Sequence, residues 1–293
     1  AIPYATFTIN ELTNNLFTDI RQMLIDDKHM YLINNTSGNT PLTICIYSLR
    51  GGNEVFDGTT PLPCIYRYKF NTSITVNNTC YGKMAWYDDN TILIPTTYGF
   101  LLFDINTKDC TIKTRSTSYN CFDLAIGEKL IIMTNANQSN DTLLCYRKSN
   151  ETFFTVQMPT TTASAICYEK GKFYVANTNY LYVFNENTET VVSTHNIPWT
   201  NPYTICVYND AVYVNEKGTS AAYIFDFNFN NYMKFYTQWS MPGSSYLHTQ
   251  PVYPCMVDGF WFILKNTLCI VDYTGYSKYN FGYKYESISI LIS

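Results

Sequence analysis

The chain has 293 residues, with 19 Lys plus Arg against 23 Asp plus Glu and a net charge of −4. Aromatics make up 17% and charged residues only 14%, which excludes intrinsic disorder, a state that needs few aromatics and high charge density. No apolar run reaches the ~20 residues of a membrane helix, and the basic excess of a nucleic-acid binder is missing, so neither membrane insertion nor nucleic-acid binding is expected.

Ala1-Ile2-Pro3-Tyr4 has no charged stretch and no apolar core, so no secretory leader is expected in the chain as given. Tyr4–Asn10 alternates like a strand, as does Ser287–Ser293 near the other end. One of these two is expected to join a sheet built mainly from the opposite end. Residues 10–20 are the one stretch suited to a short helix, capped by Asn10 or Thr13.

A nine-residue window then recurs: an apolar stretch, a turn and a second apolar stretch. It runs Met23–Tyr31, Ala85–Leu93, Leu124–Ile132, Cys167–Val175, Cys206–Val214 and Cys255–Ile263. Each copy reads as a β-hairpin, because β-prone residues flank Asp-Asp, Gly-Glu, Lys-Gly, Asn-Asp or Asp-Gly. The starts lie 62, 39, 43, 39 and 49 residues apart, a period that suits four-stranded units. The long first interval holds a Gly- and Pro-rich loop over 50–63.

A second window follows each hairpin and reads as a third strand: Leu101–Asp104, Tyr182–Asn185, Tyr223–Asp226 and Cys269–Asp272, with degenerate copies at Leu143–Tyr146 and Cys45–Ser48. Its closing Asp or Asn is suited to bond the backbone two residues on and open the next turn. Fourth strands are expected at 64–70, 110–116, 152–158, 189–196, 231–238 and 276–283.

The segments Phe173–Asn177, Leu181–Asn185 and Thr190–Val192 resemble a blade of the kelch and YVTN-type propeller superfamily, although the kelch double glycine and the Trp-Asp of WD repeats are absent. The resemblance implies a fold and no activity. The expected architecture is an all-β, six-bladed β-propeller of four-stranded antiparallel blades in one domain over 1–293. Its blades fall at 20–70, 81–116, 121–158, 164–196, 203–238 and 252–283, and the termini close the ring.

Ten cysteines include no C-x-x-C pair. Cys167, Cys206 and Cys255 share one repeat position with Met23, Ala85 and Leu124, and Cys145 matches Phe103, so these cysteines read as small buried hydrophobes. Disulfides involving Cys64, Cys80, Cys110 or Cys121 stay open as the other reading. Seven N-x-[ST] triplets begin at Asn34, Asn35, Asn71, Asn77, Asn137, Asn140 and Asn150. With 30 Asn and 54 Ser plus Thr, chance alone supplies nearly as many, so they carry no argument for secretion.

His29, His195 and His248 show no metal-ligand spacing, and His29 is expected at the surface. Asp26-Asp27 and Asp88-Asp89 read as hairpin turns rather than acid–base pairs. Nucleophile-elbow, P-loop and dinucleotide motifs are absent. No catalytic residue, metal or cofactor is expected.

The connections at Ile197–Tyr203 and Trp239–His248 concentrate Trp, Tyr and Pro, which offer rigid contact area. Trp199, Tyr203, Trp239, Tyr246, His248 and Tyr253 form the expected partner-binding patch. The competing reading wedges these rings between blades. The expected function is a non-enzymatic protein-interaction or structural module in a larger assembly, such as a virion or surface layer. The alternatives are an extracellular glycan-binding protein, with Trp199, Trp239 and Tyr246 as stacking platforms, and a calcium-dependent hydrolase.

Overall fold

The computed structural model describes residues 5–8, 20–25, 29–34, 43–48, 64–69, 84–135, 142–159, 165–178, 180–198, 202–208, 211–216, 221–226, 232–236, 259–264 and 267–272. The chain falls into two compact units, Ala1–Ile74 with Tyr208–Ser293, and Thr75–Val207.

The first described strand is β1 (Ala5–Thr8). Strands β2 (Ile20–Ile25), β3 (His29–Asn34), β4 (Thr43–Ser48) and β5 (Cys64–Lys69) form a four-stranded meander. The same plan recurs in β6 (Ala85–Asp88), β7 (Thr91–Thr96), β8 (Gly99–Asp104) and β9 (Cys110–Thr114). It recurs again in β10 (Cys121–Ile126), β11 (Leu130–Asn135), β12 (Thr142–Arg147) and β13 (Thr152–Gln157). The next copy is β14 (Ala165–Glu169), β15 (Lys172–Ala176), β16 (Tyr180–Asn185) and β17 (Thr190–Asn196). The last is β18 (Pro202–Tyr208), β19 (Ala211–Glu216), β20 (Ala221–Phe225) and β21 (Tyr232–Tyr236). Strands β22 (Gly259–Leu264) and β23 (Thr267–Asp272) pair with each other, and β1 lies antiparallel to β23 with Ala5 opposite Ile270.

The expected closed propeller of six four-stranded blades is corrected by this arrangement. The described strands form separate, open sheets. One sheet is three-stranded and draws β1 from the other end of the chain, and the chain divides into two units. The kelch and YVTN-type resemblance is corrected with it: what the described strands show is separate antiparallel meanders, not propeller blades. The physical reason is that the repeat motif is local: hairpin turns and alternating side chains specify a meander, whereas closure depends on packing between sheets. The expected helix over 10–20 lies outside the described residues except for Ile20, which begins β2. The loop over 50–63, the first half of the last hairpin, the strand at 276–283 and the segment Ser287–Ser293 also lie outside them.

In Thr75–Val207 the sheet β10–β13 packs between β6–β9 and β14–β17. Strand alternation divides its side chains between the two neighbours. On β11, Leu130 and Ile132 join Phe173, Val175 and Phe184 in one core cluster. Ile131 and Met133 turn the other way and join Leu93 and Phe100 in a second. The second and third strands are thus buried on both faces and read as continuous apolar runs. Fourth strands alternate between exposed and half-buried, most regularly along β17. Cys45, Cys121, Cys145 and Cys167 are buried, as the apolar reading of the cysteines requires. Burial pushes the Cys145 thiol up to about 12.

The turns follow local chemistry. Asp104 Oδ1 accepts the backbone N–H of Asn106 at 2.8 Å, and Asn185 Oδ1 accepts that of Asn187 at 2.8 Å. Lys108, Glu151 and Glu189 then take left-handed conformations, with φ of 65°, 58° and 57°. Each stands four residues after the end of its third strand. The β14–β15 hairpin turns on Lys170 (φ 46°) and Gly171 (φ 82°), the paired positive values of a tight two-residue loop. A Cβ on Gly171 meets open space, so Gly171→Ala tests backbone strain alone. We expect it to lower the unfolding free energy by about 1 kcal/mol, read from urea unfolding of the full chain.

Candidate functional site

Within Thr75–Val207 a cleft of about 560 Å³ is lined by Glu128, Lys129, Leu130, Arg147, Lys148, Ser149, Glu186, Asn187 and Glu189. It lies where the β10–β11 turn, the β12–β13 turn and the β16–β17 turn meet. Gly127 makes this meeting possible. A Cβ there would stand 2.3 Å from Glu186 Oε1 and 2.8 Å from Phe173 Cζ, closer than atoms pack.

Glu186 is 3% exposed and fully engaged. Its Oε1 accepts the backbone N–H groups of Lys129 (2.5 Å) and Leu130 (2.9 Å). Its Oε2 accepts the Tyr168 hydroxyl at 2.7 Å, and that hydroxyl accepts the Gly171 N–H at 2.9 Å. The carboxylate therefore ties sheet β14–β17 to the turn of sheet β10–β13. Asp123 does the same elsewhere on this interface. It is buried, with Oδ1 on the Leu124 N–H at 2.8 Å and Oδ2 on the Ile166 N–H at 3.0 Å.

The cations of the cleft are also engaged. Arg147 donates through Nε and Nη2 to the two oxygens of Glu189, at 2.7 and 2.6 Å, and lies 3.9 Å over the Phe154 ring. Lys148 Nζ donates to the Gly127 carbonyl at 2.7 Å and sits 4.6 Å over the Tyr87 ring. Burial pushes the Lys148 ammonium below the usual lysine value. Lys129 Nζ donates to Asn187 Oδ1 at 2.5 Å. The arrangement fastens three turns together by charge-assisted bonds.

The hydrogen bonds from Arg147 hold the Glu189 carboxyl below its ordinary 4.5. A depressed carboxyl stabilises the fold above its ordinary value, and that contribution is lost as pH falls through the depressed one. Glu189→Gln should therefore lower stability at neutral pH and flatten the loss below pH ~4.5. Urea midpoints of both proteins from neutral to acid pH check this. Parallel curves would contradict it.

Trp199, Trp239, Tyr246, His248 and Tyr253 lie outside the described residues, and Tyr203 stands in β18. His29, expected at the surface, is partly exposed at the start of β3, with Tyr31 Oη 3.5 Å from its Nδ1. His195 is half-buried on β17, 3.0 Å from Ser193 Oγ, and burial lowers its pKa. Asp88-Asp89 is a turn as read: Asp88 Oδ1 accepts the Asn90 N–H at 2.9 Å. Among the described residues no group of three or more His, Cys, Asp or Glu converges to hold a metal.

Sequence reasoning missed Glu186, Asp123 and the Arg147–Glu189 pair. Glu186 and Glu189 sit in an ordinary polar turn, where a buried carboxylate looks like a solvated one. The usable signal was Gly127, where four of the other hairpins carry Asp or Asn at the start of the turn.

These features define an all-β protein of antiparallel meander sheets stapled by buried carboxylates. No protein-family model matches the chain, and a search of curated proteins finds no relative. Among the described residues no helix is long and apolar enough to cross a membrane.

Proposed function

We propose that this chain is a non-enzymatic protein-interaction or structural module that docks on a protein partner within a larger assembly, such as a virion or surface layer. One observation carries this reading. The fourth strands of four sheets each hold a large apolar side chain toward solvent: Ile65 at 54%, Ile112 at 44%, Val192 at 50% and Tyr232 at 50% exposure. The Thr190–Asn196 strand has no Asp, Glu, Lys or Arg, while β5 holds Arg67 and Lys69, β9 holds Lys113 and β21 holds Lys234. Outer strands keep an unpaired edge, and proteins usually guard such edges with charge. Exposed apolar residues in such strands, with β17 free of Asp, Glu, Lys and Arg, suit contact with another protein.

The charged cleft supports the same reading from the other direction. Arg147 and Glu189 are spent on each other, and Glu186 and Lys148 on backbone groups of the β10–β11 turn, which makes the cleft a fastening between turns.

Ile112→Asp and Val192→Asp put a charge on exposed positions and leave the core intact. Each should reduce the material co-purifying with the full chain by tenfold or more while the urea midpoint stays unchanged. Undiminished co-purification in both variants would reject the outer strands as the contact surface.

A further inference from the structure

The turn joining β12 to β13 carries a feature that partner docking does not use. Asn150-Glu151-Thr152 is an N-x-T triplet, and all three residues are exposed. Glu151 takes a left-handed conformation, φ 58°, which folds the chain back on itself. Thr152 Oγ1 thereby donates a hydrogen bond of 2.6 Å to Asn150 Oδ1. The hydroxyl that the triplet requires is in contact with the carboxamide that would react.

We propose that Asn150 is an acceptor for N-linked glycan. The count of triplets in the chain argues nothing, so the inference rests on this one site. The contact spans two residues and needs no distant part of the fold, so the same local geometry is open to the chain before it folds. With the carbonyl oxygen held by Thr152, the carboxamide nitrogen is the atom presented for reaction. The co-reactant is a lipid pyrophosphate-linked oligosaccharide. The Asn150 Nδ2 attacks C1 of its first sugar, forming the C–N bond. The C1–O bond to pyrophosphate breaks, lipid pyrophosphate leaves with the bonding pair, and one amide proton passes to solvent. No oxidation or reduction occurs.

The folded protein accommodates the product. The turn projects from the sheet, none of its three triplet residues is buried, and Glu151 is fixed from the side by Lys113 Nζ at 2.6 Å. An attached glycan adds bulk there without opening the core.

The test uses full-length protein recovered from its source cells. Peptide-N-glycosidase digestion in heavy-oxygen water converts a glycosylated Asn150 to labelled Asp, which peptide mass spectrometry reads directly. We expect labelled Asp at 150 in the native chain, its loss in Thr152→Ala, and its retention in Thr152→Ser, which keeps the hydroxyl. Asn150→Gln should remove the corresponding mass from the intact protein. Unlabelled Asn150 in the native chain overturns the proposal, as does full labelling in Thr152→Ala. Because the readout is a mass at one residue, its failure is distinct from any failure of partner docking.

Discussion

Glu186→Ala should lower the unfolding free energy of the full chain by about 3 kcal/mol or more, because three donors lose their acceptor at once. The Lys129 and Leu130 N–H groups and the Tyr168 hydroxyl all converge on this side chain. The Leu130 N–H is buried and has no water to turn to, while the Lys129 N–H and the Tyr168 hydroxyl are only partly shielded. Leaving each buried donor unpaired costs about 1–3 kcal/mol, and relaxation of the turn recovers part of that sum. Glu186→Gln separates shape from acceptor count. Its amide oxygen still serves the two N–H groups. Its NH2, however, meets a tyrosine oxygen that already accepts from Gly171. The glutamine should therefore cost roughly half as much as the alanine. Urea unfolding of the three proteins measures both. A loss under 1 kcal/mol for alanine would show that the carboxylate is not a fastening between the sheets.

Phe173→Ala should cost about 3–5 kcal/mol, the range for deleting a fully buried aromatic ring. Phe173 has no exposed surface. It packs on Tyr168 at a centroid distance of 4.8 Å and on Phe184 at 6.2 Å. It also reaches the Gly127 turn of the neighbouring sheet, so its removal opens a cavity at the joint of two sheets rather than within one. Phe173→Leu keeps much of the volume and should cost less than half as much. If the two substitutions cost the same, hydrophobic contact rather than filled volume governs the joint.

The strands were legible because a two-residue period and turn chemistry are local. Leu124–Ile132 became β10 and β11 with Ile126 opposite Ile131, and Cys167–Val175 became β14 and β15 with Tyr168 opposite Phe173. Five of the expected fourth strands are present, β13 at Thr152–Gln157 among them, and the sixth, over 276–283, lies outside the described residues. Cys145 was legible as a core residue through its match to Phe103, and both are buried. The closed ring expected from the repeat is overturned by the separate, open sheets, since no residue of the repeat reports how one sheet meets the next. The pattern over Phe173–Asn185 specifies two neighbouring strands of a meander, β15 and β16, and encodes no closure. The carboxylate fastenings were hidden for a similar reason. Glu186 meets residues 56 and 57 positions away, and Asp123 meets Ile166 across 43, distances at which spacing carries no signal. Gly127 alone marked the joint, through a close approach that only the fold makes visible.

The central claim is that this chain contacts a protein partner through its outer strands. Lysine-directed cross-linking of native material, read by mass spectrometry, tests it most directly, because Lys113 stands on β9 and Lys234 on β21. Cross-links from these two lysines to a second protein, in a fraction that sediments faster than the 33.8 kDa chain, are the expected result. A chain that sediments alone, with every cross-link internal, would contradict it.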